Sequence, residues 1–176
     1  MRAVWLTALI CVSSAPAWAA PLGAPIAAAA QGQLQCYAPD VAHKTCKTLS
    51  AFRSGADGTI ENTATMLIWK TPMIVMRTVS RVEIKAGQVC SHLNPQEIET
   101  AEFTLGKGPA DPAKSATLRK MIAGAMKRMF GREICTAYVQ NGDSLLAKAT
   151  IEGASRPGAD QKVIWVSPTD GYRVGP

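Results

Sequence analysis

Cys36, His43, Cys46, Cys90 and His92 are the side chains of this chain best suited to hold a metal or assist attack on a substrate. A zinc site needs thiolates and imidazoles at spacings that let one loop or hairpin present them together. Cys90-Ser91-His92 brings two such ligands close, but the longer intervals match no finger or ribbon pattern. Oxidation is the other fate open to Cys36, Cys46, Cys90 and Cys135. Three pairings are open to four cysteines. Cys36–Cys46 with Cys90–Cys135 is favoured, because the first bridge closes a short loop holding Pro39 and Asp40 and the second joins two segments that read as strands. A metal-binding protein stays open as an alternative if some of these cysteines remain reduced.

Nucleophilic catalysis needs a serine or cysteine, a histidine base and an acid that orients the base. His92, with Ser91 beside it and Glu97 nearby, is the arrangement from which a small envelope hydrolase would be built. No nucleophile elbow surrounds it, so the catalytic residues stay unknown and an enzyme is the less favoured reading. Glu97, Glu99 and Glu102 cluster in sequence, yet Glu97 is accounted for by a helix cap and the other two by a solvated first turn. There is no glycine-rich phosphate loop and no dinucleotide fingerprint, so no cofactor is expected.

Charge is more informative. The segment Asp111 to Phe130 carries Lys114, Arg119, Lys120, Lys127 and Arg128 with no acid after Asp111. The whole chain has a formal charge of +6. A basic amphipathic helix of this kind can meet an anionic envelope component or an acidic protein surface. Nucleic acid is not expected, because no basic motif is interleaved with aromatics.

The elements that must position these residues follow from the ends inward. Met1-Arg2, an apolar run from Ala3 to Val12 and Ala17-Trp18-Ala19 have the grammar of a secretory signal peptide cleaved after Ala19. Its removal takes Cys11 away and leaves the four cysteines above in a periplasmic or secreted product, where disulfides form. Residues 20–33 carry no charge and no periodicity, and read as a flexible Ala/Pro-rich leader. No later segment is long and apolar enough to be a transmembrane helix.

Residues 34–176 read as a single domain. Ser54-Gly55-Ala56-Asp57-Gly58 and Asn141-Gly142-Asp143 are the turns of two hairpins. Ile74, Met76, Val82 and Ile84 share one parity of a long strand. Asn94-Pro95-Gln96-Glu97 starts a short helix. Asp111, Pro112 and Gly131 bracket the main helix over 111–130, on which Leu118, Met121, Ile122, Ala125, Met126 and Met129 form one stripe. The expected class is α+β: an antiparallel sheet of two hairpins plus extra strands, covered by one main amphipathic helix and stabilised by disulfides.

Cys36-Tyr37-Ala38-Pro39-Asp40, Glu133-Ile134-Cys135-Thr136 and the end Trp165-Val166-Ser167-Pro168-Thr169-Asp170-Gly171-Tyr172 resemble a family of small exported alphaproteobacterial proteins of uncharacterised activity. The resemblance spans nearly all of residues 34–174. It implies a periplasmic location and brings no activity with it. The expectation is a non-enzymatic domain that acts by surface interaction with a cell-envelope partner, its basic helix leading.

Overall fold

Short polar turns separate β-prone runs along most of this chain, and the number of runs decides the architecture. The computed structural model describes residues 22–55 and 57–176. A 3-10 turn at Ala27–Gln31 precedes β1 (Leu34–Tyr37), β2 (Thr45–Cys46), β3 (Thr48–Ser54), β4 (Ile60–Trp69), β5 (Ile74–Lys85) and β6 (Gln88–His92). Helix α1 (Pro95–Glu99), β7 (Glu102–Leu105) and β8 (Gly108–Pro109) lead into α2 (Pro112–Met126). Then come β9 (Glu133–Asn141), β10 (Ser144–Ile151), β11 (Ala154–Ser155), β12 (Gln161–Val166) and β13 (Arg173–Val174).

The strands run in the order β4, β3, β1, β12, β10, β9, β6, β5, and β5 pairs back onto β4. Eight antiparallel strands therefore close into a barrel, and closure removes the free edges an open sheet would expose. The expected α+β class is overturned: the protein is mostly β, with strands making up 48% of it, and α2 is its one substantial helix. Both hairpins and the helix form close to where the sequence places them. What changes the class is the pairing of β1 with β12, Leu34 opposite Val166 and Tyr37 opposite Val163, which ties the two ends of the domain together.

Tyr37 on β1 and Tyr138 on β9 belong to strands separated by two others, yet their hydroxyls meet. They can do so only across the barrel interior, and this fixes which parity faces inward. Gln35, fully buried beside these half-buried tyrosines, takes a hydrogen bond on Oε1 from each of them, at 2.8 and 3.0 Å. Buried Ser50 and Val163 belong to the same inner layer through their registers with Gln35 and Tyr37.

Each end of the barrel is closed differently. At one end, Leu22, Ile26 and Ala29 pack on Phe52, Val82 and Val89, with Ile26 wholly buried. The leader expected over 20–33 is thus a plug from Leu22 onward. The signal-peptide segment 1–19 lies outside the described residues. At the opposite end, Ile98 of α1 and Leu118 and Ile122 of α2 pack on Met76, Ala101 and Phe103. The outer wall near β1 is covered by β2 and β13, which pair in parallel over Cys36, Cys46 and Val166.

Both disulfides take the favoured pairing, Cys36–Cys46 and Cys90–Cys135. The apolar stripe of α2 is narrower than its sequence suggests. Leu118, Ile122 and Ser115 are buried, whereas Met121 is 51% exposed. The reason is geometric: α2 lies across a barrel mouth instead of along a sheet, so one thin line of side chains reaches inward. Asp111 caps the helix through Lys114 N–H at 2.9 Å, and the helix tightens to a 3-10 turn at Lys127–Met129 before Gly131 takes a positive φ of 75°. Among the described residues no helix is long and apolar enough to cross a membrane.

Candidate functional site

The barrel wall has a seam. One edge of β5 pairs with β7 over Ile74–Arg77 and with β6 over Glu83–Lys85, and residues 78–82 between them face no strand on that side. α1 fills the gap. Asn94 starts this helix by accepting from Gln96 N–H at 3.0 Å, Pro95 occupies its first position, and Ile98 anchors it in the apolar cluster below. That placement turns Glu97 into the seam. The Ser80 hydroxyl and the Asn94 backbone N–H lie close enough to its carboxylate to favour the charged form.

Glu97 borders two cavities. Outside lies a cleft of about 490 Å³ between the edge of β5 and α1, lined by Arg81, Glu83, His92, Gln96 and Thr100 among others. Inside, beneath α2, lies a chamber of about 380 Å³. Ser91 and Glu97 line both. Asn62, Thr78 and Ser80 give the chamber a polar side; Met66, Met76, Ile98, Ile122 and Met126 make the rest apolar. Asn62 is held in place by a 2.8 Å hydrogen bond that its Oδ1 accepts from Ser50.

Burial pushes the Glu97 carboxyl above the usual glutamate range, and the nearby Ser80 hydroxyl and Asn94 N–H only partly offset this. The folded protein therefore binds that proton more tightly than the unfolded chain does. Glu97 adds stability below the ordinary glutamate pKa of about 4.3, and loses that contribution as pH rises through its folded value. We expect Glu97→Gln to raise Tm by roughly 2 °C at pH 8 and to match the parent in acid below that pKa. Thermal unfolding followed by circular dichroism across pH reads this directly; a gap of equal size at both ends of the range would remove titration as its cause.

The paired tyrosines are held protonated: burial drives the Tyr37 hydroxyl well above its ordinary value, Tyr138 adds to the effect, and burial raises Tyr138 as well. Nε2 of Gln35 has no partner in this layer.

The residues singled out from sequence are scattered by the fold. All four cysteines are in disulfides, so a zinc site built on their thiolates has lost its ligands. His43 bonds Asp40 on the surface at 2.8 Å. His92 is exposed on the outer wall, where its ring and the carboxylates of Glu83 and Glu133 come within 4.8 Å of one another. Lys85 already bridges the two carboxylates and offsets one of their two charges, with Nζ 2.6 Å from Glu83 and 2.7 Å from Glu133, and these hydrogen bonds push its pKa up to about 12. No side-chain hydrogen bond orients His92 among the described residues, and Glu97, the acid nearest it in the hydrolase reading, lies beside Ser80 and the Asn94 N–H.

Of the basic helix residues, Lys114 pairs with Asp111 at 3.2 Å. Arg119 turns inward. Its Nη2 donates to the Ala101 carbonyl at 2.8 Å and its guanidinium lies 6.0 Å from the centre of the Phe103 ring, so it clamps α2 onto the start of β7. Lys120, Lys127 and Arg128 are left exposed.

No protein-family model matches this chain, and neither a curated protein nor a solved structure matches it. Function has to be read from the seam and the chamber. Sequence reasoning had placed Glu97 at a helix cap, which is true, and missed its second role. The overlooked signal was Thr78 and Ser80, two polar residues on the same parity as Ile74, Met76, Val82 and Ile84. A strand that interrupts its inward apolar row in this way lines a polar interior.

Proposed function

We propose that this protein is a non-enzymatic binding domain of an oxidising, extracytoplasmic compartment, and that it holds one small amphiphilic molecule in the chamber under α2. The observation that carries this is the chamber itself: about 380 Å³, apolar on one side, polar on the other, and sharing Ser91 and Glu97 with an open cleft. Ligand sites commonly fall between about 300 and 1,000 Å³ and combine apolar walls with a few placed polar groups. Eight strands give a barrel just wide enough to be filled by side chains or to hold one small ligand. Here one end is filled, by the plug around Ile26, and the other is left hollow.

The two disulfides support the compartment. The lid suits a binding role, since α2 brings Ile122, Ala125 and Met126 to the chamber as an apolar wall.

The test is titration of the purified protein with N-phenyl-1-naphthylamine, a neutral amphiphile that fluoresces in apolar surroundings. Saturable binding of one probe per chain is expected. Ala64, buried and facing the chamber, gives the control. Ala64→Phe should fill the space and weaken the probe at least tenfold, with the circular dichroism spectrum unchanged. No saturable signal, or an affinity indifferent to Ala64→Phe, would overturn the chamber reading.

A further inference from the structure

Glu97 is the one ionisable side chain among the described residues that line the chamber; no lysine, arginine or histidine joins it there. A carboxylate has room for about four hydrogen bonds. The Ser80 hydroxyl and the Asn94 backbone N–H are the groups near enough to Glu97 to favour its charge, so acceptor capacity remains. Both of those donors are neutral, and the negative charge has no counter-ion in the chamber.

The cations on the outer side are directed elsewhere. Arg81 stands opposite Glu61 across the β4–β5 ladder and close enough to Asp57 to lower its pKa. Lys85 is held between Glu83 and Glu133. Arg119 is committed to the Ala101 carbonyl. His92 is exposed beside two carboxylates and reaches no acceptor in the seam.

Resting on the chamber reading, we infer that the ligand carries an ammonium head, seated at the seam against Glu97 and Ser91, with its apolar part under α2 against Met66, Met76 and Ile122. A cationic head completes the charge and uses the free lone pairs. A hydroxyl head uses the lone pairs alone. A carboxylate head would place a second negative charge next to Glu97 in a site where water is partly excluded, and like charges so placed repel strongly. The Ser91 hydroxyl, shared by cleft and chamber, accepts a further N–H from the head.

Decylamine, decan-1-ol and decanoate have the same apolar tail and differ in the head. Each, below its micellar concentration at pH 7.5, is set against bound N-phenyl-1-naphthylamine. Decylamine should displace the probe at a concentration at least tenfold lower than decanol, with decanoate weakest. In Glu97→Gln the advantage of the amine over the alcohol should vanish, while decanol stays within threefold of its parent value. The unaltered protein gives a second readout: acidification through the Glu97 titration should erase the same advantage, because decylamine stays charged while Glu97 is neutralised.

A probe that fails to bind at all removes the chamber reading and this inference with it. A probe displaced equally by all three heads, or an amine preference that survives both Glu97→Gln and acid, overturns the ammonium head and leaves the chamber standing.

Discussion

Replacing Cys90 and Cys135 together by alanine should cost about 4 kcal/mol and lower Tm by roughly 8–16 °C. The bridge closes a loop with a sequence separation of 45, and in the chain-entropy account a longer loop restrains the unfolded chain more. The same account gives about 3 kcal/mol for Cys36–Cys46, whose separation is 10. Position widens the difference. Cys90 and Cys135 are directly opposite on β6 and β9, and β6 is the strand beside the seam, joined to β5 over only Glu83–Lys85. Without the staple, β6 is held only by its ladder to β9 over Val89–His92 and by the short ladder to β5. Probe affinity should therefore fall in the Cys90/Cys135 variant and stay unchanged in a Cys36/Cys46 variant, which lies under β2 and β13 on the outer wall. Urea unfolding and the fluorescence titration on the two variants separate these effects. Equal stability losses together with equal affinities would show that the seam does not depend on the Cys90–Cys135 bridge.

Local signals in this sequence carried local structure well. The Asn141-Gly142 turn, the Asp111 cap and the Gly131 stop each act within a few residues, and β9, β10 and α2 formed where they point. Closure of the barrel is a different kind of fact. It depends on β1 meeting β12 and on β5 pairing with β4 on one side and β6 on the other. Alternation tells which residues of a strand share a face, and it does not name the neighbouring strand or say whether that face turns into a barrel or onto a helix. The same blindness hid the chamber. Glu97, Ser80 and Ser91 come from α1, β5 and β6, and each has an ordinary local explanation as a cap or a strand polar residue. Arg119 shows the same limit: nothing in its spacing tells that it reaches back to the Ala101 carbonyl.

Ile26→Ala should destabilise the protein by about 3 kcal/mol, within the range of large-to-small changes at fully buried sites. The size of this effect is the sharpest test of how the barrel is closed. Residues 20–33 carry no charge and no regular period, and an isoleucine in a loose leader would contribute almost nothing. Ile26 instead has no exposed surface, and its own backbone N–H donates to the Gly23 carbonyl at 3.0 Å in a turn that aims it at Phe52, Val82 and Val89. Cutting it back removes methyl groups from a pocket whose walls are strands of a closed barrel, and such walls cannot collapse to fill the space. Ile26→Asp should do more damage, because it buries a carboxylate among apolar side chains. Urea unfolding of the two variants reads both losses. The plug lies at the end of the barrel opposite α2, so Ile26→Ala should leave probe affinity within about twofold while the fold holds, and a large loss of affinity would mean that the two ends of the barrel are coupled through the layer of Gln35, Tyr37 and Tyr138.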